Sequence, residues 1–342
     1  MKKRVLSGIR ATGRLHLGNY LGAVKGMLEL QNGGEHETFY MVVDLHTLTT
    51  PYDKNKLAGS VRDIIIDYLA AGLDPEKSTL FIQSHVPEHL ELAYYFSVVS
   101  TVAKMQHLTT FKDKVKQHPE SVTMALLNYP LLMAADILIY KAGLVPVGLD
   151  QEPHLEVARE IARRMNQDFG TNFPEPVRFG TKGEYVPSLS GEGKMSKSVE
   201  GSYINLTDSL EDIEKALARV TTDSGRGVVR KKEGVKEYFY ENENGKLSEG
   251  VTALLKFVEL FQGVEKRREY EAAYEDQGIR YGDLKNSLAD AIFAELEPIQ
   301  KKRAELEADP EYVDRVIMEG AEKARKIAQE TVVEVRQKMG LA

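Results

Sequence analysis

Lys194-Met195-Ser196-Lys197-Ser198 sets two ammonium groups three residues apart on a stretch flanked by Gly191 and Gly193. Two lysines on such a loop can fold over a polyphosphate and neutralise the charge that builds up as pyrophosphate leaves. A solvated charged loop is the plain alternative. A second feature, Gly8-Ile9-Arg10-Ala11-Thr12-Gly13 followed by Arg14-Leu15-His16-Leu17-Gly18-Asn19, joins a short apolar run to an amphipathic one. A strand-to-helix turn of this kind presents backbone N–H groups at a helix N-terminus, where hydrogen bonding and the helix dipole both favour phosphate. Gly8 and Gly13 allow close approach of a ligand, and His16 and Asn19 add side-chain donors. No Lys-Ser/Thr pair follows, so this is not a Walker loop, and a glycine-rich turn alone is a weak signal.

Tyr129, Met133 and Asp136 fall at i, i+4 and i+7 and so share one helical face. Asp136 sits inside Leu131-Leu132-Met133-Ala134-Ala135-Asp136-Ile137-Leu138-Ile139, where a buried carboxylate needs a donor. That donor is either a partner elsewhere in the chain, such as an Arg, or a ligand. His46 ends Val43-Asp44-Leu45-His46, at the strand end where open α/β sheets place ligands; a backbone-bonded His is the plain reading. Gly148-Leu149-Asp150-Gln151 closes another apolar run and opens a helix, with Asp150 as N-cap or as acceptor for ligand hydroxyls. No metal site is expected among the eight histidines.

Positioning these groups requires a scaffold, and the first half of the chain supplies the βαβ pattern of a parallel sheet. Strands are expected at 4–7, 39–44, 80–83 and 144–148, with helices at 17–30, 55–71, 87–103, 123–140 and 151–166. Residues 187–202 shift to Gly, Ser and Lys, a loop composition. Beyond it the pattern is almost wholly helical, at 210–220, 250–262, 266–276, 281–309 and 311–339, with kinks or breaks expected at Pro298 and Pro310.

A chain of 342 residues suggests about two domains of roughly 150 residues each. With no Cys, disulfides, zinc-thiolate sites, iron–sulfur clusters and cysteine nucleophiles are excluded, and a reducing compartment fits. No apolar run reaches membrane-spanning length, and the first residues are too poor in apolar side chains for a signal peptide. The net charge of −7 argues against indiscriminate polyanion binding but leaves room for a local basic patch.

The pairing of His16-Leu17-Gly18-Asn19 after the first strand with Lys194–Ser198 after an α/β region resembles the class I aminoacyl-tRNA synthetases. Ser7–Gly13, Tyr129–Leu138, Val145–Gln151 and Glu319–Ala324 resemble bacterial tryptophanyl-tRNA synthetases in particular, and the similarity covers essentially the whole chain. It implies an α/β fold: a Rossmann-type catalytic domain (1–188), a KMSKS loop (189–202), and a helical anticodon-binding domain (203–342) whose last helix returns to the catalytic domain. It implies activation of L-tryptophan with ATP and transfer to tRNA(Trp), by a cytoplasmic homodimer without membrane or DNA partners. Mg²⁺ would accompany ATP, with no protein-bound metal cluster.

Carried over residue by residue, the resemblance makes His16, Lys194 and Lys197 catalytic. ATP would be held by Arg10, Ala11, Thr12, Gly18, Asn19, Gly148, Leu149, Asp150, Val186, Lys194, Met195, Ser196, Lys197 and Ser198, with Asp150 on the ribose. Tryptophan would be held by Leu6, Gly8, Val43, His46, Tyr129, Met133, Asp136 and Gln151. Asp136 would accept the indole N–H, and Tyr129 and Gln151 would take the ammonium and carboxylate ends. Two positions depart from the pattern: Asn19 replaces the second His of the class-wide motif, and Leu6 is aromatic in some relatives. Arg226, Arg230, Lys231, Lys232, Lys266-Arg267-Arg268 and Lys301-Lys302-Arg303 are candidate phosphate contacts. The alternatives are a tyrosyl-tRNA synthetase, a small-molecule nucleotidyltransferase, and a non-catalytic RNA-binding relative. The last would have lost His16, Lys194 or Lys197, and all three are present.

Overall fold

The computed structural model describes residues 2–180, 186–191, 193–196, 201–231 and 238–341. In chain order the elements begin with β1 (Lys3–Arg10), α1 (Leu17–Asn19), a π-helical turn (Tyr20–Val24), α2 (Lys25–Gly33), β2 (His36–Val43), α3 (Lys54–Ala70) and β3 (Ser78–Ile82). Then follow α4 (Glu88–Val98), α5 (Val102–His107), α6 (Thr109–Gln117), α7 (Met124–Ile139), β4 (Leu144–Pro146), α8 (Glu152–Phe169) and β5 (Val177–Phe179). The remainder comprises α9 (Leu210–Ala218), β6 (Gly227–Lys231), β7 (Tyr238–Asn242), α10 (Glu249–Gln262), α11 (Val264–Glu275), α12 (Tyr281–Glu307) and α13 (Pro310–Lys338).

The chain divides into two compact units, Met1–Arg14 with Ala23–Glu184 and Arg303–Ala342, and Leu15–Gly22 with Tyr185–Lys302. In the first, five strands form one parallel sheet in the order β3-β2-β1-β4-β5. β2 is buried from Thr38 to Val43, as expected of a strand covered on both faces. The strand order turns back between β1 and β4, a topological switch point of the kind that puts ligands at carboxyl strand ends.

Helix α7 forms the floor of this unit, with Leu131, Ala134, Ala135, Ile137, Leu138 and Ile139 buried in the core. The Thr123 hydroxyl caps it by accepting the Leu126 N–H, and α8 stops at Gly170, whose φ of 68° few other residues tolerate. Helix α13 covers the edge strand β3. Gly320 permits this, because a Cβ there would lie 1.7 Å from the Leu80 carbonyl oxygen. Arg303, only 4% exposed, ties the end of α12 to α3 through Asp63 (2.6 Å) and the buried Asp67.

The four expected strands are all present, and β5 adds a fifth. The helix expected at 87–103 is interrupted at Val99–Thr101, where the Thr101 side chain accepts the Lys104 N–H and starts α5. The second unit also contains a β6–β7 hairpin within the stretch expected to be helical. Its strands, Gly227-Val228-Val229-Arg230-Lys231 and Tyr238-Phe239-Tyr240-Glu241-Asn242, are rich in β-branched and aromatic residues. Pro298 lies inside the continuous α12, whereas Pro310 takes the first turn of α13 behind an Asp309 cap.

Candidate active site

In the first unit the carboxyl ends of the strands and α7 bring together a buried polar cluster around Asp136, which is 1% exposed. Its Oδ2 lies 2.9 Å from His46 Nε2, and its Oδ1 lies 2.5 Å from His89 Nδ1. The Gln83 amide donates to both oxygens at 2.8 and 2.9 Å, and the Gln83 oxygen accepts the Leu45 N–H at 3.1 Å. His89 Nε2 reaches the Tyr140 hydroxyl at 2.7 Å. Burial alone would raise the Asp136 carboxyl, but its hydrogen bonds with His46 and His89 hold it down at about 2. The donors are thus two imidazoles and an amide rather than an Arg.

Gln83 and His89 were missed in the sequence, although Gln83 stands at the carboxyl end of β3 just as His46 follows β2. The Tyr129 ring meets the His46 ring edge-on at 6.3 Å between centroids, so the Tyr129–Asp136 face of α7 and His46 do come together. Met133 packs against the core, and Leu6 and Val43 are buried within it. Gly8 serves packing directly: a Cβ there would sit 2.9 Å from Met41 Cγ and 3.3 Å from a Val43 methyl.

A second polar chain runs along α8. The Tyr129 hydroxyl is 2.7 Å from His154 Nε2, His154 Nδ1 is 3.0 Å from Gln151 Oε1, and Gln151 Nε2 donates to Asp150 Oδ2 at 2.7 Å. Asp150 does not cap α8. The 3₁₀ turn Leu149–Gln151 delays the helix start to Glu152, leaving Gln151 as N-cap and the Asp150 carboxylate exposed beside Gly148 and Leu149.

Arg10 donates to Thr50 Oγ1 at 3.0 Å, while its buried Nε has no hydrogen-bond partner among the described residues. Burial depresses its pKa. The same holds for Lys114 of α6, which the charge of Arg10 lowers further, so each of the two cations feels the other's field. Such a pair suits an anion. Ala11 is buried and Thr12 exposed on the turn that follows.

The second unit places the two signature segments side by side. A Cβ on Gly18 would lie 2.9 Å from the His16 ring and 3.2 Å from Met195 Cβ, so the glycine admits both. The Met195 N–H donates to the Val186 carbonyl at 2.9 Å, and the Ser202 hydroxyl donates to the Ser196 carbonyl at 2.7 Å. Asn19 Oδ1 accepts the His16 N–H at 3.3 Å. The first helical N–H, that of Leu17, is already given to the Ile204 carbonyl at 2.8 Å, which reduces the free donors at this turn. Lys194 is exposed, while Lys197 and Ser198 lie outside the described residues.

The basic clusters divide. Arg267, 8% exposed, pairs with Glu259 at 2.5 Å and Glu271 at 3.2 Å and stacks over Tyr238. Arg303 is committed to Asp63, Asp67 and Glu307. Both are internal ties, which removes them from the phosphate contacts expected above. Arg230, Lys266, Arg268 and Lys301 each form surface ion pairs; Lys232 lies outside the described residues.

Residues 1–297 match the family model of tRNA synthetases class I (W and Y). The chain is 41% identical over 339 residues to the tryptophan–tRNA ligase of Porphyromonas gingivalis, covering 98% of each. It is 39% identical over 345 residues to that of Bacillus subtilis, covering 100% of this chain and 98% of the other. Among solved structures, tryptophanyl-tRNA synthetase of Campylobacter jejuni, complexed with ADP and tryptophan, superposes with a TM-score of 0.81 at 31% identity, covering 99% of this chain and 100% of that one. A tyrosyl-tRNA synthetase of Archaeoglobus fulgidus shares the fold at a TM-score of 0.66 and 20% identity, covering 88% of this chain and 90% of that one.

Proposed function

This chain belongs to the class I tRNA synthetases of the tryptophan and tyrosine group, and on that premise we propose that it is a tryptophan–tRNA ligase selecting its amino acid through Asp136. The observation that carries the reading is the buried Asp136 carboxylate, held ionised by His46, His89 and Gln83 on the same α7 face as Tyr129. An ionised carboxylate only accepts hydrogen bonds. The indole N–H of tryptophan can add a donor to this acceptor, whereas the phenyl ring of phenylalanine brings none to that place. A hydrogen bond to a charged group contributes ~1.5–3 kcal/mol, which tryptophan gains and phenylalanine does not.

In the first step a carboxylate oxygen of tryptophan attacks the α-phosphorus of ATP, an O–P bond forms, and the bond to the β-phosphate oxygen breaks. Tryptophanyl-adenylate and pyrophosphate result. Mg²⁺ arrives on the nucleotide phosphates as part of the substrate. The protein contributes position and charge: His16 at the reacting phosphate, Lys194 and Lys197 on the departing pyrophosphate, Arg10 and Asn19 along the nucleotide, and Gly148, Leu149 and Asp150 at the ribose. In the second step the terminal ribose hydroxyl of tRNA(Trp) attacks the adenylate carbonyl and AMP leaves.

The helical unit reads the tRNA in this account, through exposed cations such as Arg226, Arg230 and Lys231 rather than Arg267 or Arg303. The enzyme works as a homodimer. Supporting this, α4 carries an exposed apolar stripe at i, i+4 and i+8, with Leu90 51%, Tyr94 72% and Val98 61% exposed. Its place of work is the cytoplasm, where charged tRNA is consumed; no helix among the described residues is long and apolar enough to cross a membrane. The direct test is charging of tRNA(Trp) transcripts with tryptophan, ATP and Mg²⁺, with light scattering for the dimer. Charging of tRNA(Tyr) with tyrosine instead would assign the sister activity.

A further inference from the structure

We infer that His154 is a positioning residue that fixes the hydrogen-bond polarity of the amino-acid subsite, so that the Tyr129 hydroxyl meets the substrate as an acceptor and takes its ammonium. The inference rests on the reading of Tyr129 and Gln151 as tryptophan ligands and adds to it two residues, His154 and Asp150, that set their direction.

The exposed Asp150 carboxylate serves as a hydrogen-bond acceptor. Gln151 Nε2 lies 2.7 Å from Asp150 Oδ2, which fixes which end of the amide faces Asp150. The opposite end, Oε1, therefore faces His154 Nδ1 at 3.0 Å, and since an amide oxygen only accepts, Nδ1 carries the proton. Turning the amide over would put two acceptors 2.7 Å apart with no proton between them.

His154 is 2% exposed, and burial pushes its pKa down to about 4, so the ring is neutral near pH 7. A neutral imidazole protonated at Nδ1 presents a lone pair at Nε2. The Tyr129 hydroxyl, 2.7 Å away, donates to it. The Thr110 hydroxyl, 3.0 Å from the same nitrogen, has a rotor that turns to suit. With its proton committed inward, the Tyr129 oxygen offers lone pairs outward. An ammonium satisfies them, whereas a carboxylate placed there would face an acceptor.

The chain contains no Trp, so the indole fluorescence of bound tryptophan, tryptamine and indole-3-propionate can be read directly. Tryptamine keeps the ammonium and lacks the carboxylate; indole-3-propionate does the reverse. His154→Leu is expected to weaken tryptophan and tryptamine ~10- to 100-fold while leaving indole-3-propionate within about twofold. In a Tyr129→Phe background the same substitution should change tryptophan binding by less than about threefold, because the two act as one unit. His154→Gln, whose amide oxygen reaches the Nε2 position, should recover most of the loss and provides a second variant if the leucine variant folds poorly. Equal weakening of all three probes, no weakening of any, or full additivity with Tyr129→Phe would overturn the inference. A wild-type protein that binds neither tryptophan nor the analogues would instead overturn the tryptophan reading on which it rests.

Discussion

His89 and Asp136 meet at 2.5 Å inside the first unit, and the far nitrogen of the same imidazole meets the Tyr140 hydroxyl at 2.7 Å. His89 is fully buried, so its role is to hold the carboxylate rather than to touch a ligand. His89→Leu removes a charge-assisted bond and should lower kcat/KM for tryptophan ~10-fold or more, with KM for ATP nearly unchanged. Tyr140→Phe should give a smaller change in the same direction. Steady-state pyrophosphate exchange at varied tryptophan checks both, and a parallel rise in KM for ATP would contradict the assignment.

Stability should fall on mild acidification because of His154. Its folded pKa lies near 4 against 6.5 when free, so between those values the unfolded chain binds the extra proton and folding becomes less favourable as pH drops. The full effect is about 3 kcal/mol, present above pH 6.5 and lost progressively towards pH 4. Asp136, depressed from 3.8 to about 2, adds a further loss only below pH 4. Urea unfolding at a series of pH values should show the first window flattened in His154→Gln; an unchanged pH dependence would contradict it.

Gly320→Ala tests the packing of α13 on the sheet edge. Helix propensity favours alanine by ~1 kcal/mol, yet its Cβ would stand 1.7 Å from a strand carbonyl that the sheet cannot move. Overpacking wins, with a loss of about 3 kcal/mol expected. Denaturant melts read this directly.

Lys194→Ala should leave tryptophan affinity intact and lower the exchange rate about 100-fold, because a lysine that meets the leaving pyrophosphate acts on the transition state rather than on amino-acid binding. Equal losses in kcat and tryptophan affinity would place Lys194 elsewhere.

Much of the parallel sheet was legible because buried strands write themselves as short apolar runs, and Phe39-Tyr40-Met41-Val42-Val43 is such a run. The β6–β7 hairpin was not, because Arg230, Lys231, Glu241 and Asn242 interrupt its apolar alternation with charge and turn formers. Around Asp136, the sequence showed that a donor was required but not which one. His46, Gln83 and His89 come from three separate segments that only the tertiary fold unites. Arg267 and Arg303 read as surface charge for the same reason: the acids that bury them lie on other turns or other helices.

Selection of tryptophan by Asp136 can be read from amino-acid-dependent ATP–pyrophosphate exchange. Wild type, with tryptophan, tyrosine and phenylalanine in parallel, should exchange with tryptophan alone. Asp136→Ala should lose at least about 100-fold in kcat/KM for tryptophan, with the preference over phenylalanine reduced accordingly. Undiminished tryptophan preference in that variant, or wild-type exchange with tyrosine instead, would contradict the account.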